Sequence, residues 1–331
     1  MQKTILVGID VSADDFTAAF DGTDDQPQVL SFPNSAAGHK RLCRRLQRAG
    51  RPARACLEAT GIYSMDLSLA LHRAKGIEIM VVNPRATKDF ARACMKRSKT
   101  DRTDALSILE FVRRMPFAPW RPPSSETLNL RAISRRIAAL MLTRIQERNR
   151  LKAVQRTREF SAGLGEDIEA HIEYLEQSME RLRGEALEIV DATPELRRRF
   201  MLLVSVKGIS TKSAIRILGE LAVLPEDMAA RQWVAHAGLD PRHYESGSSV
   251  DKPTRISKTG NRHVRAALYM PALVAIRSEP CVQAFYQALL SRGKKPMQAI
   301  VAVMRKLLHA IYGMFRNNQG FVGEKFYRSN A

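Results

Sequence analysis

Four acidic residues could act together on a phosphate group. Asp10 and Glu58 each end an apolar, strand-like run, and Asp101 and Asp104 lie three residues apart where a helix begins. Side chains three residues apart on a helix share a face. Clustered carboxylates bind hard divalent cations such as Mg2+ or Mn2+, which phosphodiester chemistry uses. The pattern therefore predicts a metal site, with helix capping by Asp101 or Thr103 and a strand end at Asp10 as the structural alternative.

A second candidate for chemistry is the polar segment 243–249, in which Ser246, Ser248 and Ser249 flank a glycine. A serine hydroxyl attacks phosphorus when a metal ion or a base helps it to lose its proton. Glycine and serine are equally typical of an ordinary polar turn. From these residues alone the polar turn is favoured, and a nucleophilic serine is the alternative.

Basic residues gather in three places where they could bind phosphates. The first group repeats every four residues on a predicted helix, and Arg131 and Arg135 extend it upstream. The second flanks a glycine turn of helix-hairpin-helix type. The third lies in a loop that leads into the start of a helix. The predicted nucleic-acid contacts are Arg144, Arg148, Lys152 and Arg156, then Lys207 and Lys212, then Arg255, Lys258, Arg262 and Arg265. For each group the alternative is an ordinary solvent-exposed face.

The composition favours a polyanionic partner. The 331 residues include 53 Lys and Arg against 34 Asp and Glu, which gives a net charge of +19, and the last third holds most of that excess. No apolar run approaches the roughly 20 residues of a membrane-spanning helix, and the N-terminus has no export-signal pattern. We therefore expect no membrane association and a cytoplasmic protein that acts at the bacterial nucleoid. Scattered cysteines and histidines argue against a zinc site.

The first third of the chain predicts an α/β domain. Strand patterns fall at 3–9, 15–20, 27–32, 54–58 and 77–82, and helical patterns near 36–48, 64–74, 84–95 and 103–114. Three successive strands predict an antiparallel meander, and the later alternation with helices predicts parallel strands joined by crossovers. This order, with an aspartate on the first strand, is the ribonuclease-H-like plan.

The remaining two thirds are predicted to be mostly helical. A proline- and serine-rich cluster at 120–125 marks the first boundary, and Pro194 marks the next. Between them, two long helices broken near 163–165 predict an antiparallel coiled-coil hairpin or a dimer arm. Its apolar seam is predicted at Ile133, Ile137, Met141 and Ile145. A glycine- and serine-rich loop is expected near 238–260.

Nine short motifs occur in a fixed order along the chain. They are Gly8-Ile9-Asp10, Glu58-Ala59-Thr60-Gly61-Ile62-Tyr63, Asn83-Pro84, Lys99-Thr100-Asp101-Arg102-Thr103-Asp104-Ala105, Gly208-Ile209, Ala237-Gly238-Leu239, Tyr244-Glu245-Ser246-Gly247-Ser248-Ser249, Ser257-Lys258-Thr259-Gly260 and Tyr269-Met270-Pro271-Ala272. Together they resemble the DEDD transposases of insertion sequences, the bridge-RNA-guided serine recombinases. One departure is His243, where that family more often has arginine.

The resemblance implies an α/β plus all-α architecture: a RuvC-like, ribonuclease-H-like domain at 1–122, a coiled-coil insert at 123–197 and a C-terminal transposase domain at 198–331. In this family's pattern Asp10, Glu58, Asp101 and Asp104 match the metal-binding tetrad, and Ser246 matches the nucleophilic serine. It further implies DNA strand exchange through a phosphoserine intermediate with Mg2+ or Mn2+. The implied partners are donor and target DNA, a structured non-coding guide RNA, and further copies of the chain, as dimers assembling to tetramers on DNA.

Two other functions remain open from the residues alone. In a metal-dependent junction resolvase or nuclease, water would attack the phosphate and the serine segment would be structural. In an RNA-binding scaffold the acidic residues would be the remains of a nuclease fold, although a complete tetrad speaks against this. A covalent protein–DNA adduct separates the first from a serine recombinase, and metal-dependent cleavage excludes the second.

Overall fold

The computed structural model describes residues 4–22, 26–95, 100–156, 162–246 and 250–328. These residues divide into two compact units, one ending at Pro122 and the other beginning at Pro123. No helix in the described ranges is long and apolar enough to cross a membrane.

The first unit is a mixed sheet covered by helices. Its elements are β1 Ile5–Val11, β2 Asp15–Phe20, β3 Gln28–Pro33, α1 Ala36–Arg48, β4 Ala53–Glu58, α2 Met65–Arg73, β5 Ile77–Val82, α3 Pro84–Ala93 and α4 Asp101–Arg114. The strand order is β3-β2-β1-β4-β5, with β1, β2 and β3 antiparallel and β1, β4 and β5 parallel. The predicted mixed α/β organisation is confirmed, and this order is consistent with a ribonuclease-H-like domain.

The central strands alternate their side chains between two helical layers. Val7 and Ile9 of β1 lie in a buried cluster with residues of α1 and α2, whereas Cys56 of β4 lies in the cluster with α4. Because successive strand residues point to opposite faces of a sheet, Gly8 and Asp10 face α4. The sheet therefore separates an α1 face from an α4 face, and Asp10 belongs to the α4 face.

Helix α4 lies directly against the backbone of β1 at Gly8. A Cβ atom at this position would stand 2.1 Å from the amide nitrogen of Leu109 and 2.5 Å from the carbonyl oxygen of Ala105. Both are backbone atoms, which cannot turn aside as a flexible side chain can. Glycine at position 8 therefore lets the helix approach closely enough to bring its first turn beside Asp10.

The second unit is mostly helical, as predicted. Its elements are α5 Ser125–Val154, α6 Ala162–Ala192, α7 Pro194–Val204, α8 Thr211–Leu221, α9 Ala230–Ala237, β6 Pro241–Ser246, β7 Val250–Ile256, α10 Arg262–Ser278, α11 Pro280–Ser291, α12 Pro296–Asn317 and α13 Gly323–Phe326. A large buried cluster joins α7, α8, α9, α10 and α12 and also includes Leu130 of α5 and Val190 of α6. The long helices and the C-terminal helices thus share one core.

Helices α5 and α6 form an antiparallel hairpin within the chain. Leu130 shares a cluster with Val190, and Leu140, further along α5, shares one with Leu175, earlier in α6. The predicted break at 163–165 is wrong, because these residues lie inside α6.

The predicted four-residue seam of this hairpin is also only partly correct. Ile137 is 3% exposed and Ile145 is 47% exposed. Each four-residue step overshoots a helical turn of 3.6 residues. A seam with that spacing therefore rotates off the contact and into solvent.

The expected loop near 238–260 contains a β-hairpin that the residue pattern did not predict. Strands β6 and β7 pair antiparallel, with Pro241 opposite Ile256 and Ser246 opposite Val250, and the register shifts between Arg242 and Tyr244. Charged residues and prolines are depleted in strands, and this segment is rich in both. Its composition therefore conceals the strands.

We expect Gly8→Ala to destabilise the first unit and to weaken any activity of the acidic site. The added methyl group must push α4 away from β1, and overpacking of this kind costs about 1–3 kcal/mol. Thermal unfolding of the full chain measures the loss. Gly184→Ala is the control, since its Cβ would meet no heavy atom within 4 Å in α6, and alanine is the better helix former by about 0.5–1 kcal/mol. Equal melting temperatures for wild type and Gly8→Ala would contradict the close packing.

Candidate active site

Three elements bring the four predicted carboxylates to one end of the α4 face. Ile9 of β1 pairs with Leu57 of β4, so Asp10 and Glu58, the next residue on each strand, lie side by side on neighbouring parallel strands. β1 continues through Val11, which places Asp10 inside the strand and not at its end.

The start of α4 supplies the other two carboxylates. Thr100 is the N-cap, and its hydroxyl accepts a hydrogen bond from the amide of Thr103, whose own hydroxyl accepts one from the amide of Thr100. The N-cap is therefore neither Asp101 nor Thr103, the structural alternative, although Thr103 takes part in the cap through its hydroxyl. Asp101 and Asp104 both lie in the first turn, where the helix dipole favours negative charge. Their motif begins with Lys99, which lies outside the described residues.

Glu58 is held by Thr87, a residue that no sequence pattern had indicated. The hydroxyl of Thr87 donates a hydrogen bond to Oε1 of Glu58 and also lies 3.0 Å from the carbonyl oxygen of Pro84. Thr87 is buried in α3, whose start at Pro84 is capped by the side chain of Asn83. The Asn83-Pro84 motif was the available signal, because it sets where α3 begins and therefore where Thr87 points.

The four carboxylates interact electrostatically. Burial, followed by the charges of Asp104, Glu58 and Asp101, raises the pKa of Asp10 from 3.8 to about 6. Within the part of the chain that the structure describes, no three Asp, Glu, His or Cys side chains are already close enough to hold a metal ion. The carboxylates are thus near enough to repel one another without forming a closed ligand shell.

This donor set suits a hard divalent cation. Oxygen ligands are what Mg2+ prefers, and a cation would offset both the burial of the Asp10 carboxylate and the repulsion between the acids, which together raise the pKa of Asp10. Asp10, Glu58, Asp101 and Asp104 are the residues that would hold it, and their carboxylates would have to move closer together to do so. That rearrangement makes the tetrad a metal-binding hypothesis and not an observed coordination site.

Two large apolar side chains stand exposed just beyond Glu58. The loop turns at Gly61, whose φ is +77°, and presents Ile62 at 82% and Tyr63 at 52% exposure. The side-chain amide of Asn34 anchors the loop by donating to the carbonyl oxygen of Tyr63 at 3.0 Å. Both side chains line a cavity together with residues of α1 and α2, among them His39 and Asp66.

Ser246 is the last residue of β6 and pairs across the hairpin with Val250. Its side chain lies outside the described part of the structure, as do Ser248 and Ser249 altogether. The serine belongs to the second unit and the tetrad to the first. Its assignment as nucleophile stays a prediction.

The predicted basic stripe on α5 is partly neutralised. Arg144 and Arg148 both donate to Oε1 of Glu176 on α6, at 3.1 Å and 2.7 Å. Lys152 and Arg156 are exposed at the end of the helix. If this stripe contacts nucleic acid, the exposed end of α5 is its more available part.

The remaining predicted phosphate contacts differ in their surroundings. The Nζ atom of Lys207 lies 3.8 Å from Oε2 of Glu279. The guanidinium group of Arg265 donates to the carbonyl oxygen of Ala237 at 2.7 Å. The other four, Lys212, Arg255, Lys258 and Arg262, are exposed. The arginine at 265 therefore has a structural partner at the end of α9, whereas the exposed four are better placed for a ligand.

The glycine turn at 208 packs inward. Gly208 has a φ of +114°, and a Cβ there would lie 2.7 Å from the amide nitrogen of Ala275 and 2.9 Å from the carbonyl oxygen of Pro271, both in α10. The turn between α7 and α8 thus needs glycine for its packing against α10.

A buried carboxylate anchors the basic loop that precedes α10. Glu220 of α8 is 1% exposed and accepts two hydrogen bonds from Arg135, at 2.6 Å and 3.0 Å, and one from the side-chain amide of Asn261, at 2.6 Å. Asn261 in turn caps α10 through the amide of His263. Arg131 lies 3.8 Å from the same carboxylate. The expectation that Arg131 and Arg135 extend the basic stripe is therefore wrong, because both turn inward to this acid.

We expect the metal-free protein to lose stability as its acidic site ionises. The pKa of Asp10 is raised in the fold, so its stabilising contribution is complete below about pH 4 and is lost as the pH rises through about 6. Asp10→Asn should therefore melt at a higher temperature than wild type at neutral pH in EDTA, and the gap should close below about pH 4. Asp167→Asn, which removes an exposed acid of α6, is the control and should show no such pH-dependent gap. A gap that is independent of pH would argue against the electrostatic account.

Arg135→Ala should destabilise the second unit strongly. It leaves Glu220 buried without its two-pronged partner, which costs on the order of 3 kcal/mol. Urea unfolding measures this, with Arg181→Ala as the matched control, because Arg181 pairs with Glu185 on an exposed face of α6 and such pairs contribute about 0–1 kcal/mol. Similar losses in the two variants would show that the buried pair is unimportant.

Comparison with known proteins finds relatives along nearly the whole chain. The chain is 29% identical to the pilin gene-inverting proteins of Moraxella bovis and Moraxella lacunata over 97% of its own length and 98% of theirs. It is 30% identical to the insertion element IS900 42 kDa protein of Mycobacterium paratuberculosis over 40% of this chain and 34% of that protein.

Two sequence profiles also match. Residues 7–157 match a family described as transposase, of the DEDD type of IS110, and residues 201–287 match one described as transposase of the IS116/IS110/IS902 family. The first match contains the acidic tetrad and the second contains Ser246. The chain belongs to the IS116/IS110/IS902 family of transposases.

Proposed function

We propose that this chain is an RNA-guided DNA transposase of an insertion sequence, which cuts and exchanges DNA strands through a phosphoserine intermediate with Mg2+ or Mn2+. The observation that carries the proposal is the convergence of Asp10, Glu58, Asp101 and Asp104 on one face of a mixed sheet. Membership of the transposase family supports DNA as the substrate.

The proposed chemistry is divided between the two units. The hydroxyl of Ser246 attacks the scissile phosphorus and loses its proton, and the bond from phosphorus to the 3′ oxygen breaks. This step leaves the DNA 5′ end linked to the serine and releases a 3′ hydroxyl. Attack by the 3′ hydroxyl of a second DNA end on that phosphoserine then joins the strands and returns the serine. The phosphoester bond energy is conserved, so the exchange needs no nucleotide cofactor.

The tetrad's part in this scheme is to hold the phosphate. A divalent cation bound there would draw negative charge from the phosphate oxygens and so stabilise the transition state. Thr87 keeps Glu58 oriented through its hydrogen bond.

A guide RNA and several copies of the chain complete the proposal. Base pairing by RNA leaves the protein to bind the nucleic-acid backbone, which suits a net charge of +19. The tetrad of the first unit and Ser246 of the second must meet at one phosphate, either within one chain or between two. Dimers that assemble into tetramers on DNA would hold the two duplexes that strand exchange requires.

Asp104→Asn should abolish strand exchange while the fold and nucleic-acid binding remain. The change removes one negative ligand and keeps the side-chain shape, and even loss of a group that only orients a ligand typically costs about 10–100-fold. A recombination assay with donor and target plasmids and the element's own RNA measures it. Asp167→Asn controls for the change of charge. Near-normal recombination by Asp104→Asn would remove the metal assignment.

Ser246→Ala should eliminate a covalent protein–DNA adduct and strand exchange, because no other oxygen at that position can displace the 3′ oxygen. A denaturing gel with end-labelled DNA should show a shifted band for wild type only in Mg2+. Ser248→Ala and Ser249→Ala are the controls and should keep the band.

The same gel decides between the two enzymatic mechanisms. A band that persists in Ser246→Ala and disappears in Ser249→Ala would place the nucleophile three residues later. Cleavage without any adduct in wild type would favour the hydrolytic resolvase or nuclease, with water as the nucleophile.

A further inference from the structure

The face of the sheet opposite the tetrad carries an arginine-lined groove. It has a volume of about 600 Å³ and lies between α1, the outer strands β2 and β3 and the start of β1. Its basic lining consists of Arg41, Arg44, Arg45, Arg48 and Arg51. None of these residues belongs to the basic groups predicted above to contact nucleic acid.

The arginines of this groove have no acidic partners among the residues that the structure describes. Within the described residues, none of the five forms an ion pair, and the acid in the lining, Asp21, is paired with Arg113 of α4. Helix α1 itself contains no Asp or Glu. Its like charges at four-residue spacing, as in the pair Arg44 and Arg48, destabilise a helix by a few tenths of a kcal/mol. No carboxylate in the described part of the chain is paired with these arginines to relieve the repulsion.

Two of the guanidinium groups are held in place. Arg41 lies over the ring of Phe32, 5.6 Å from its centroid, and Arg45 lies over the ring of Phe20 at 5.0 Å. Arg45 also donates to the side-chain oxygen of Gln28 at 2.5 Å. Stacking of this kind orients the planar donors and reduces the entropy lost when they bind an anion. The groove is therefore partly preorganised.

From this geometry we propose that the α1 groove binds the phosphate backbone of a DNA duplex, in a segment separate from the one being cut. The occupant is a polyanion because five arginines line the groove, none in an ion pair with a described residue, and because arginine matches phosphate oxygens two at a time. The segment is separate because the groove opens on the α1 face and Asp10 on the α4 face, with the sheet between them. DNA is the nucleic acid that membership of a transposase family supports, and the inference rests on the proposed action on DNA.

The test is the salt dependence of DNA binding by the full-length chain. Arg44→Gln with Arg48→Gln removes two exposed cations from the groove. Fluorescence anisotropy with a labelled DNA duplex, in EDTA so that no cleavage occurs, gives the affinity at several salt concentrations. Two lost phosphate contacts reduce the slope of log K against log salt by about 1.8. The ratio of the wild-type to the variant association constant therefore falls about twelvefold between about 50 and 200 mM salt.

Arg292→Gln with Lys294→Gln is the matched control. It removes the same charge from an exposed turn between α11 and α12 and should leave the slope nearer to that of wild type. An unchanged slope in the groove variant, or a change no larger than that of the control, overturns the proposal. A parallel titration uses an RNA hairpin with the same number of phosphates. A loss of affinity confined to the RNA would overturn the assignment to DNA.

These outcomes stay distinct from failure of the proposed chemistry. Binding is measured without divalent cations, whereas the proposed chemistry is read from metal-dependent adduct and recombination. Unaltered far-ultraviolet circular dichroism and melting temperature of the double variant show that it is folded. A groove variant that binds DNA weakly although wild type forms no adduct would still support the groove.

Discussion

The backbone contact between α4 and Gly8 is the constraint on which the acidic site depends. Because no side chain intervenes, the helix lies close to β1, and the same approach delivers Asp101 and Asp104 to the end of the strand that carries Asp10. The capped start of the helix at Thr100 then determines where its first turn lies. A helix that was one methyl group further away would still fold, but its carboxylates would interact less with Asp10.

The surroundings of Asp10 in the first unit and of Glu220 in the second shift the pKa of these two carboxyl groups in opposite directions. Burial, together with the neighbouring negative charges, raises the pKa of Asp10 to about 6. Glu220 is more deeply buried, and burial alone would raise its pKa, but hydrogen bonds from Arg135 and Asn261 with the charges of Arg135 and Arg131 lower it. A carboxylate neutralised within the fold stabilises structure, whereas one left facing other carboxylates is available to an external cation. This contrast distinguishes the candidate catalytic acids from the structural acid.

The fold of the first unit was largely predictable from its sequence, because its strands alternate with amphipathic helices and its turns carry glycine or caps. The tetrad was predictable as a set, since Asp10 and Glu58 follow apolar runs and Asp101 and Asp104 open a helix. What escaped prediction depends on tertiary contacts. The role of Thr87 depends on the packing of α3 beside Glu58, which its own sequence neighbourhood does not indicate. The inward orientation of Arg135 depends on a glutamate 85 residues later. The hairpin at β6 and β7 was hidden because its strands are charged and contain proline.

The carboxylate of Glu220, on α8, binds Arg135 of α5 and Asn261 of the loop before α10. The amide of Asn261 donates in turn to the backbone carbonyl oxygen of His236, on α9, at 2.6 Å. Four separate segments therefore meet around this carboxylate. A substitution at Arg135, Glu220 or Asn261 removes a side chain from this network and leaves its partner without that hydrogen bond. His236, in contrast, takes part through its backbone. Few substitutions are therefore tolerated at these positions. Loss of Glu220 during evolution would leave Arg135 without its partner, so we expect position 135 to change together with position 220. We expect positions 135, 220 and 261 to evolve as a coupled set, and the loop carrying Lys258 and Arg262 to change its geometry only when that set changes.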